Sequence, residues 1–162
     1  MNVWGNKIKL SIFGESHGEA LGITIDGLPA GLKIDFEYIE KFIERRKAGK
    51  LNFTSSRKEK DMYEILSGIK DNFTTGAPIC TIFRNENIKS KDYKNLKEVL
   101  RPSHADYPAK IKFNSFNDER GGGHFSGRIT LALTFAGAIA KKYLEEKNIK
   151  IYSHIKKILD IV

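Results

Sequence analysis

Two histidines in this chain stand where an imidazole could exchange a proton beside a bound anion. The first lies in Gly14-Glu15-Ser16-His17-Gly18, between strand-like runs at residues 9–13 and 21–26. Glycines at both ends let the backbone approach a ligand closely, and a histidine there titrates near neutral pH, as acid–base chemistry requires. The second is His104, which has charged neighbours in Arg101-Pro102-Ser103-His104-Ala105-Asp106. A further segment, Gly121-Gly122-Gly123-His124-Phe125-Ser126-Gly127-Arg128, runs directly into a helix-like stretch at 129–144. Glycines just before a helix start would expose backbone N–H groups at the positive end of the helix dipole, which suits an anion. Ser126 would add a hydroxyl donor there and Arg128 a planar guanidinium fork. Singly, each segment also has a plain reading: a solvated loop histidine, or a flexible glycine connector.

Composition narrows the setting. The chain is 40% apolar and 30% charged over 162 residues, enough for one domain with a real core. No apolar run is long enough to cross a bilayer, and no charged-then-apolar leader opens the sequence. The single cysteine, Cys80, rules out a disulfide framework, points to a reducing cytoplasm, and reads as a buried, inert thiol. The histidines pair closely neither with each other nor with the cysteine, so no metal site is expected. The net charge of +8 admits nucleic acid or small anions as partners. No nucleic-acid module appears, and the arginines sit in the loops that hold glycine and histidine, which favours a focused anion pocket.

These segments need elements to hold them. Strand, turn and strand cover residues 8–27. Asp35 is placed to cap a helix to about Lys47, with Phe36, Ile39, Phe42 and Ile43 on one face. Residues 48–60 read as a long basic loop, and 64–69 and 79–83 as strands joined through the Thr74-Thr75-Gly76 turn. A polar, mobile stretch is expected at 84–95; residues 110–113 are too short to assign. An apolar helix over about 126–146 is the strongest element, with Gly137, Ala138 and Ala140 small enough for close packing on a sheet. Residues 149–162 alternate and run apolar, as a strand interrupted within a sheet would.

Taken together and in order, the motifs resemble the chorismate synthase family. They comprise Phe13 through Gly18, Asp26-Gly27-Leu28-Pro29, Glu44-Arg45-Arg46 followed by Gly49, and Leu66-Ser67-Gly68. Thr74-Thr75-Gly76-Ala77-Pro78-Ile79, Arg101 to Asp106 and Gly121 to Arg128 complete the set. The resemblance implies an α+β fold, a β-α sandwich of antiparallel sheets with helices. Residues 1–162 would be the N-terminal portion of one such domain, and the full-length form a cytoplasmic homotetramer. It implies a carbon–oxygen lyase acting on phosphates in aromatic amino-acid biosynthesis. The reaction turns 5-enolpyruvylshikimate-3-phosphate into chorismate and phosphate by anti-1,4-elimination, with reduced FMN and, in some members, NADPH as the flavin's reductant. Membrane and nucleic acid have no part in it.

Carried over, His17 would be the proton donor beside the flavin, with Ser16 its hydrogen-bonding neighbour. His104 would be the general acid for the departing phosphate. Arg46, Arg101, Ser126 and Arg128 would bind the substrate's anionic groups. His124, Phe125 and Ser126 would touch FMN, with Arg46 at the edge of both sites. Arg45 and Arg57 are equally well read as surface charge. Two departures stand out. Many members have Arg-Ser-Ser-Ala-Arg-Glu-Thr after the glycines, where this chain has His124-Phe125-Ser126-Gly127-Arg128-Ile129-Thr130. Asn52 also replaces a common arginine of the basic loop. Two other classes stay open: a non-catalytic portion that binds FMN without turnover, and a basic nucleic-acid-binding protein.

Overall fold

Side chains alternate between apolar and polar along several runs of this chain, and those runs become strands of one antiparallel sheet. In a computed structural model, residues 2–47, 59–86 and 99–160 are described. Three strands open it: β1 (Val3–Trp4), β2 (Lys9–Gly14) and β3 (Ala20–Asp26). Helix α1 (Phe36–Arg46) follows, then β4 (Tyr63–Ser67), a small hairpin of β5 (Ile69–Lys70) and β6 (Phe73–Thr74), and β7 (Ile79–Arg84). Helices α2 (Asp106–Lys112) and α3 (Thr130–Glu145) complete the order. The main sheet runs β1-β2-β3-β7-β4.

Register decides which face is buried. Ile12 pairs with Ile23, Ile23 with Thr81 and Thr81 with Ile65, so these four share one face. Leu21, Ile23, Ile25, Ile79 and Phe83 lie on that face, and α1 and α3 cover it with Ile39, Ile43, Leu131, Phe135 and Ile139. Tyr63, Phe83 and Phe135 meet edge-on or tilted, with ring centroids 5.3–6.3 Å apart. Burial and the neighbouring Glu40 push the Tyr63 hydroxyl up to about 12. The result is a two-layer α+β arrangement, antiparallel sheet against helices.

The expected cap is in place: Asp35 Oδ1 accepts from Tyr38 N at 3.0 Å, a bond worth about 1 kcal/mol at such positions. Two contacts then tie α1 to α3. Tyr38 Oη donates to Glu145 Oε1 at 2.9 Å, and Lys142 lies 3.1 Å from Asp35. Burial and Glu145 raise the Tyr38 hydroxyl to about 12.

Several expectations need correcting. The strand foreseen at 64–69 ends at Ser67; a bulge there turns the chain, and Ile69 joins the β5–β6 hairpin instead. Residues 110–113 belong largely to α2, which lacks an amphipathic signature because Ala109 is its only buried residue. Ser126 is not in the long helix. It caps a short 3₁₀ turn, Gly127–Ile129, and α3 starts at Thr130. Cys80 is half-buried rather than buried, because it points away from the helices while Ile79 and Thr81 point toward them. Residues 149–160 form no named strand; they are exposed, Ile151, Tyr152, Ile155 and Leu159 included. Most of the basic loop, 48–58, and most of the stretch expected to be mobile, 87–95, lie outside the described residues. At the start of that expected stretch, Arg84 instead ends β7 and Asn85 is held by hydrogen bonds.

Candidate active site

The turn bearing His17 joins β2 to β3 and sits at one end of the sheet. Gly18 N closes it onto Glu15 O at 3.2 Å. Ser16 and His17 are buried, and His17 Nδ1 lies 3.1 Å from Ser16 Oγ. Ser16 N also donates to Gly123 O at 3.0 Å, which fastens this turn to the glycine loop.

That loop does not do what its sequence suggested. Gly121, Gly122 and Gly123 all have positive φ, at 59°, 88° and 53°. They form a tight turn within Arg120–Phe125, well before α3, so the helix dipole does not end on them. Their lack of side chains serves packing. A Cβ on Gly121 would run into the His17 ring at Cε1 and Nδ1, and one on Gly122 would sit 2.9 Å from His104 Cε1. Consecutive Cα atoms are about 3.8 Å apart, so the two imidazoles rest on neighbouring units of one backbone. Residues 17 and 104, far apart in sequence, thereby share one site.

His104 is oriented by an arginine that a carboxylate holds in place. Its Nδ1 lies 2.8 Å from Asp106 Oδ1 and 3.2 Å from Arg101 Nη2. A guanidinium can only donate, so Arg101 Nη2 donates to His104 Nδ1, which leaves the ring proton on Nε2, and the Cε1–Nε2 edge faces Gly122. Arg101 binds the same carboxylate as a fork, Nε to Oδ2 and Nη2 to Oδ1, both at 2.8 Å, while its backbone N donates to Oδ2 at 3.0 Å. The Arg101 fork above all holds the Asp106 carboxyl far below the usual carboxylate range. Asp106 was quoted in the sequence motif without a role, although its place two residues after His104 was a usable signal.

Beside the His17 turn lies a recess of about 390 Å³ walled by Phe13, Phe113, Phe116 and Phe125, with His124 and Asp118 at its edge. His124 Nδ1 donates to Gly14 O at 2.8 Å, and Nε2 is 3.1 Å from Asn2 Oδ1. Asp118 is forked by Arg120 (2.8 and 2.7 Å), which with the charge of His17 keeps its carboxyl below the ordinary value.

Arg46 and Arg128 converge on a different group, the buried Asp61. Arg128 Nη1 is 2.8 Å from Asp61 Oδ1, and its Nη2 is 3.8 Å from Glu59. Arg46 Nη1 is 3.9 Å from Asp61 Oδ2, while its Nη2 donates to Thr130 Oγ1 at 3.1 Å. Burial, reinforced by Arg128, pulls the Arg46 guanidinium below its usual value. Arg128 Nε donates to Asn85 Oδ1 at 2.6 Å. Ser126 Oγ accepts from Arg128 N at 3.4 Å, at the start of the 3₁₀ turn. Of the expected site residues, Ser16, His17, Arg101, His104, His124 and Phe125 gather around the glycine loop. Arg46, Ser126 and Arg128 gather where α1 meets the start of α3. Sequence reasoning missed Glu59, Asp61, Asn85 and Asp118, whose partners, His17, Arg46, Gly18 and Arg128 among them, are for the most part remote in sequence.

An antiparallel sheet backed by helices, with two imidazoles set on one glycine turn and an arginine beside one of them, defines an α+β protein with a histidine cluster at one end of its sheet. The family model for chorismate synthase matches residues 8–162, and the chain belongs to that family. It is 46% identical over 154 residues to chorismate synthase of Thermococcus kodakarensis, covering 95% of this chain and 43% of that protein. It is 50% identical over 155 residues to that of Aliarcobacter butzleri, covering 96% of this chain and 43% of the relative. A crystal structure of chorismate synthase superimposes with a TM-score of 0.64 at 33% identity, over 90% of this chain and 36% of that one. The chain thus spans less than half the length of the relatives it matches. Among the described residues, no helix is long and apolar enough to cross a membrane.

Proposed function

We propose that this chain contributes the acid–base half of a chorismate synthase active site. The reaction eliminates phosphate from 5-enolpyruvylshikimate-3-phosphate to give chorismate. The observation behind this reading is the convergence of His17 and His104 on Gly121 and Gly122, with Arg101 next to His104. In the elimination, a C–O bond breaks and its electron pair leaves with the phosphate, while a ring proton departs and a new double bond forms. His104, its Nδ1 accepting from Arg101, presents Nε2 as the nitrogen that holds the proton for the leaving phosphate. Arg101 brings positive charge to the same place.

The recess suits a flat aromatic cofactor: phenyl rings wall it, polar groups line its edge, and its volume lies within the range of ordinary ligand sites. His124 and Phe125 would hold reduced FMN there, with Ser16 and His17 on the neighbouring turn; Ser126 and Arg46, in the other cluster, would reach it only from outside the recess. When bound, reduced FMN supplies electron density to the developing charge without net redox change. His17, buried and held by Ser16, keeps a proton in a position shielded from water. Arg46 and Arg128 reach the substrate's anions by exchanging Asp61 and Glu59 for them. The same proposal includes a cytoplasmic homotetramer for the full-length form and NADPH or another donor as the source of reducing equivalents.

Anaerobic phosphate release with supplied reduced FMN tests this. Release that depends on the flavin and falls at least about 100-fold in His104→Ala is expected, the usual scale for a general acid. Flavin binding without turnover would instead make the chain a cofactor-holding portion and reject catalysis by it alone. Neither binding nor release would overturn the reading.

A further inference from the structure

We propose that Asn85 is a positioning residue for His17, and that Arg128 acts through it. Asn85 follows β7 directly, and its backbone N donates to Glu19 O at 3.0 Å. Its side-chain Nδ2 donates twice into the histidine turn, to Glu15 O at 3.1 Å and to Gly18 O at 2.8 Å. Those two carbonyls flank Ser16 and His17, so one amide holds both ends of the turn that aims the imidazole. The opposite side of the turn is held by Ser16 N on Gly123 O.

The amide works in only one orientation, and Arg128 selects it. Its Nε meets Asn85 Oδ1 at 2.6 Å, and a guanidinium can only donate. The oxygen of Asn85 must therefore face Arg128, and its NH₂ must face the two carbonyls. Turned over, the amide would set donor against donor and acceptor against acceptors. Asp61 fixes the fork in turn, through Nη1 at 2.8 Å. A relay thus runs from Asp61 through Arg128 and Asn85 to the turn of His17, and links the arginine cluster to the histidine site. What His17 does chemically rests on the lyase reading, but how its ring is held does not.

The test reads the histidine rings themselves, with neither flavin nor substrate. Long-range imidazole ¹H–¹⁵N spectra at one fixed pH would be compared for the unmodified chain and Asn85→Ala, which leaves net charge unchanged. The expected result is a shift and broadening of the His17 ring signals, while those of His154, on the exposed residues 149–160, stay in place. A role in stability alone would lower the unfolding midpoint and leave the His17 signals where they were, which would overturn the proposal. Should Asn85→Ala not fold, Arg128→Lys keeps the charge facing Asp61 but lacks Nε. It is expected to move the same His17 signals, and their coincidence with those of the unmodified chain would also overturn the proposal. Absence of both flavin binding and phosphate release in the unmodified chain, with His17 signals still dependent on Asn85, would reject the lyase reading and leave this one standing.

Discussion

Replacing Gly121 by alanine should damage this protein far more than one added methyl suggests. Two costs arise together. Gly121 has φ +59, and an L-residue held in that left-handed region loses roughly 1–2 kcal/mol. The new Cβ also collides with the His17 ring, which is buried and held by Ser16, so it cannot swing into solvent. Overpacking at such a place costs about 1–3 kcal/mol, for a sum of about 2–5 kcal/mol. Gly127 is the internal control: it lies in the adjacent turn, no atom comes within 4 Å of its notional Cβ, and its φ is not positive. In urea, with a slope of about 1–3 kcal/mol per M, Gly121→Ala should lower the midpoint by about 1 M or more, and Gly127→Ala hardly at all. Repeating Gly121→Ala in a His17→Ala background separates the two costs. The clash should vanish and the strain remain, a coupling of about 1–3 kcal/mol. Equal midpoints for the two glycine variants, or no coupling with His17, would refute the contact between loop and imidazole.

Asp106→Asn keeps the shape of the group that holds Arg101 against His104 but removes the charge from the fork. It should cost about 1–3 kcal/mol in urea unfolding at neutral pH, and it should change the ring-nitrogen signals of His104. The carboxyls of Asp106, Asp118 and Asp35 are all depressed in the folded state. On acidification the unfolded chain therefore takes up protons first. The stability these groups confer is complete above the model-compound value of 3.8 and drains away as pH falls through their lower folded values. Unfolding midpoints measured from pH 6 downward should fall most steeply below that value, and a flat profile would count against the carboxylate forks. At the alkaline end, Tyr38 and Tyr63 are raised from 10.0 to about 12. Their stabilisation is whole below pH 10 and is lost as pH rises toward 12. An ultraviolet titration should show a phase near pH 12, and Tyr38→Phe together with Tyr63→Phe should remove it.

Much of the framework was legible because its signals are local. The alternation of Leu21, Ile23 and Ile25, and the spacing of Ile39 and Ile43 behind an Asp35 cap, state strand and helix within a few residues. Helix α2 escaped notice because Ala109 alone is buried in it, so it has no apolar stripe to read. The β5–β6 hairpin escaped because each strand is two residues long. The site divided in the same way. His17, Arg101 and His104 announce themselves beside glycines and charges, whereas Asn85 meets Gly18 across 67 residues and Arg128 meets Asp61 across another 67. Nothing local marks such pairs. The triple glycine was noticed for its N–H groups and a helix dipole; the dipole ends elsewhere, and what the structure adds is the room that missing Cβ atoms leave for two imidazoles.

A loop that offers bare backbone to the proton-bearing rings has separated two tasks along its length. Positions 121–123 are bound to glycine by geometry, so mutation has almost no freedom there. The side chains just after them answer to other neighbours, His124 to the Gly14 carbonyl and Phe125 to Phe113 at 6.0 Å. They can be exchanged without moving the surface on which His17 and His104 rest. An imidazole and a phenyl ring can therefore stand where many relatives have a guanidinium and a hydroxyl. Within this loop, the side chains at 124 and 125 can drift while the footing of the two imidazoles is kept by the absence of side chains.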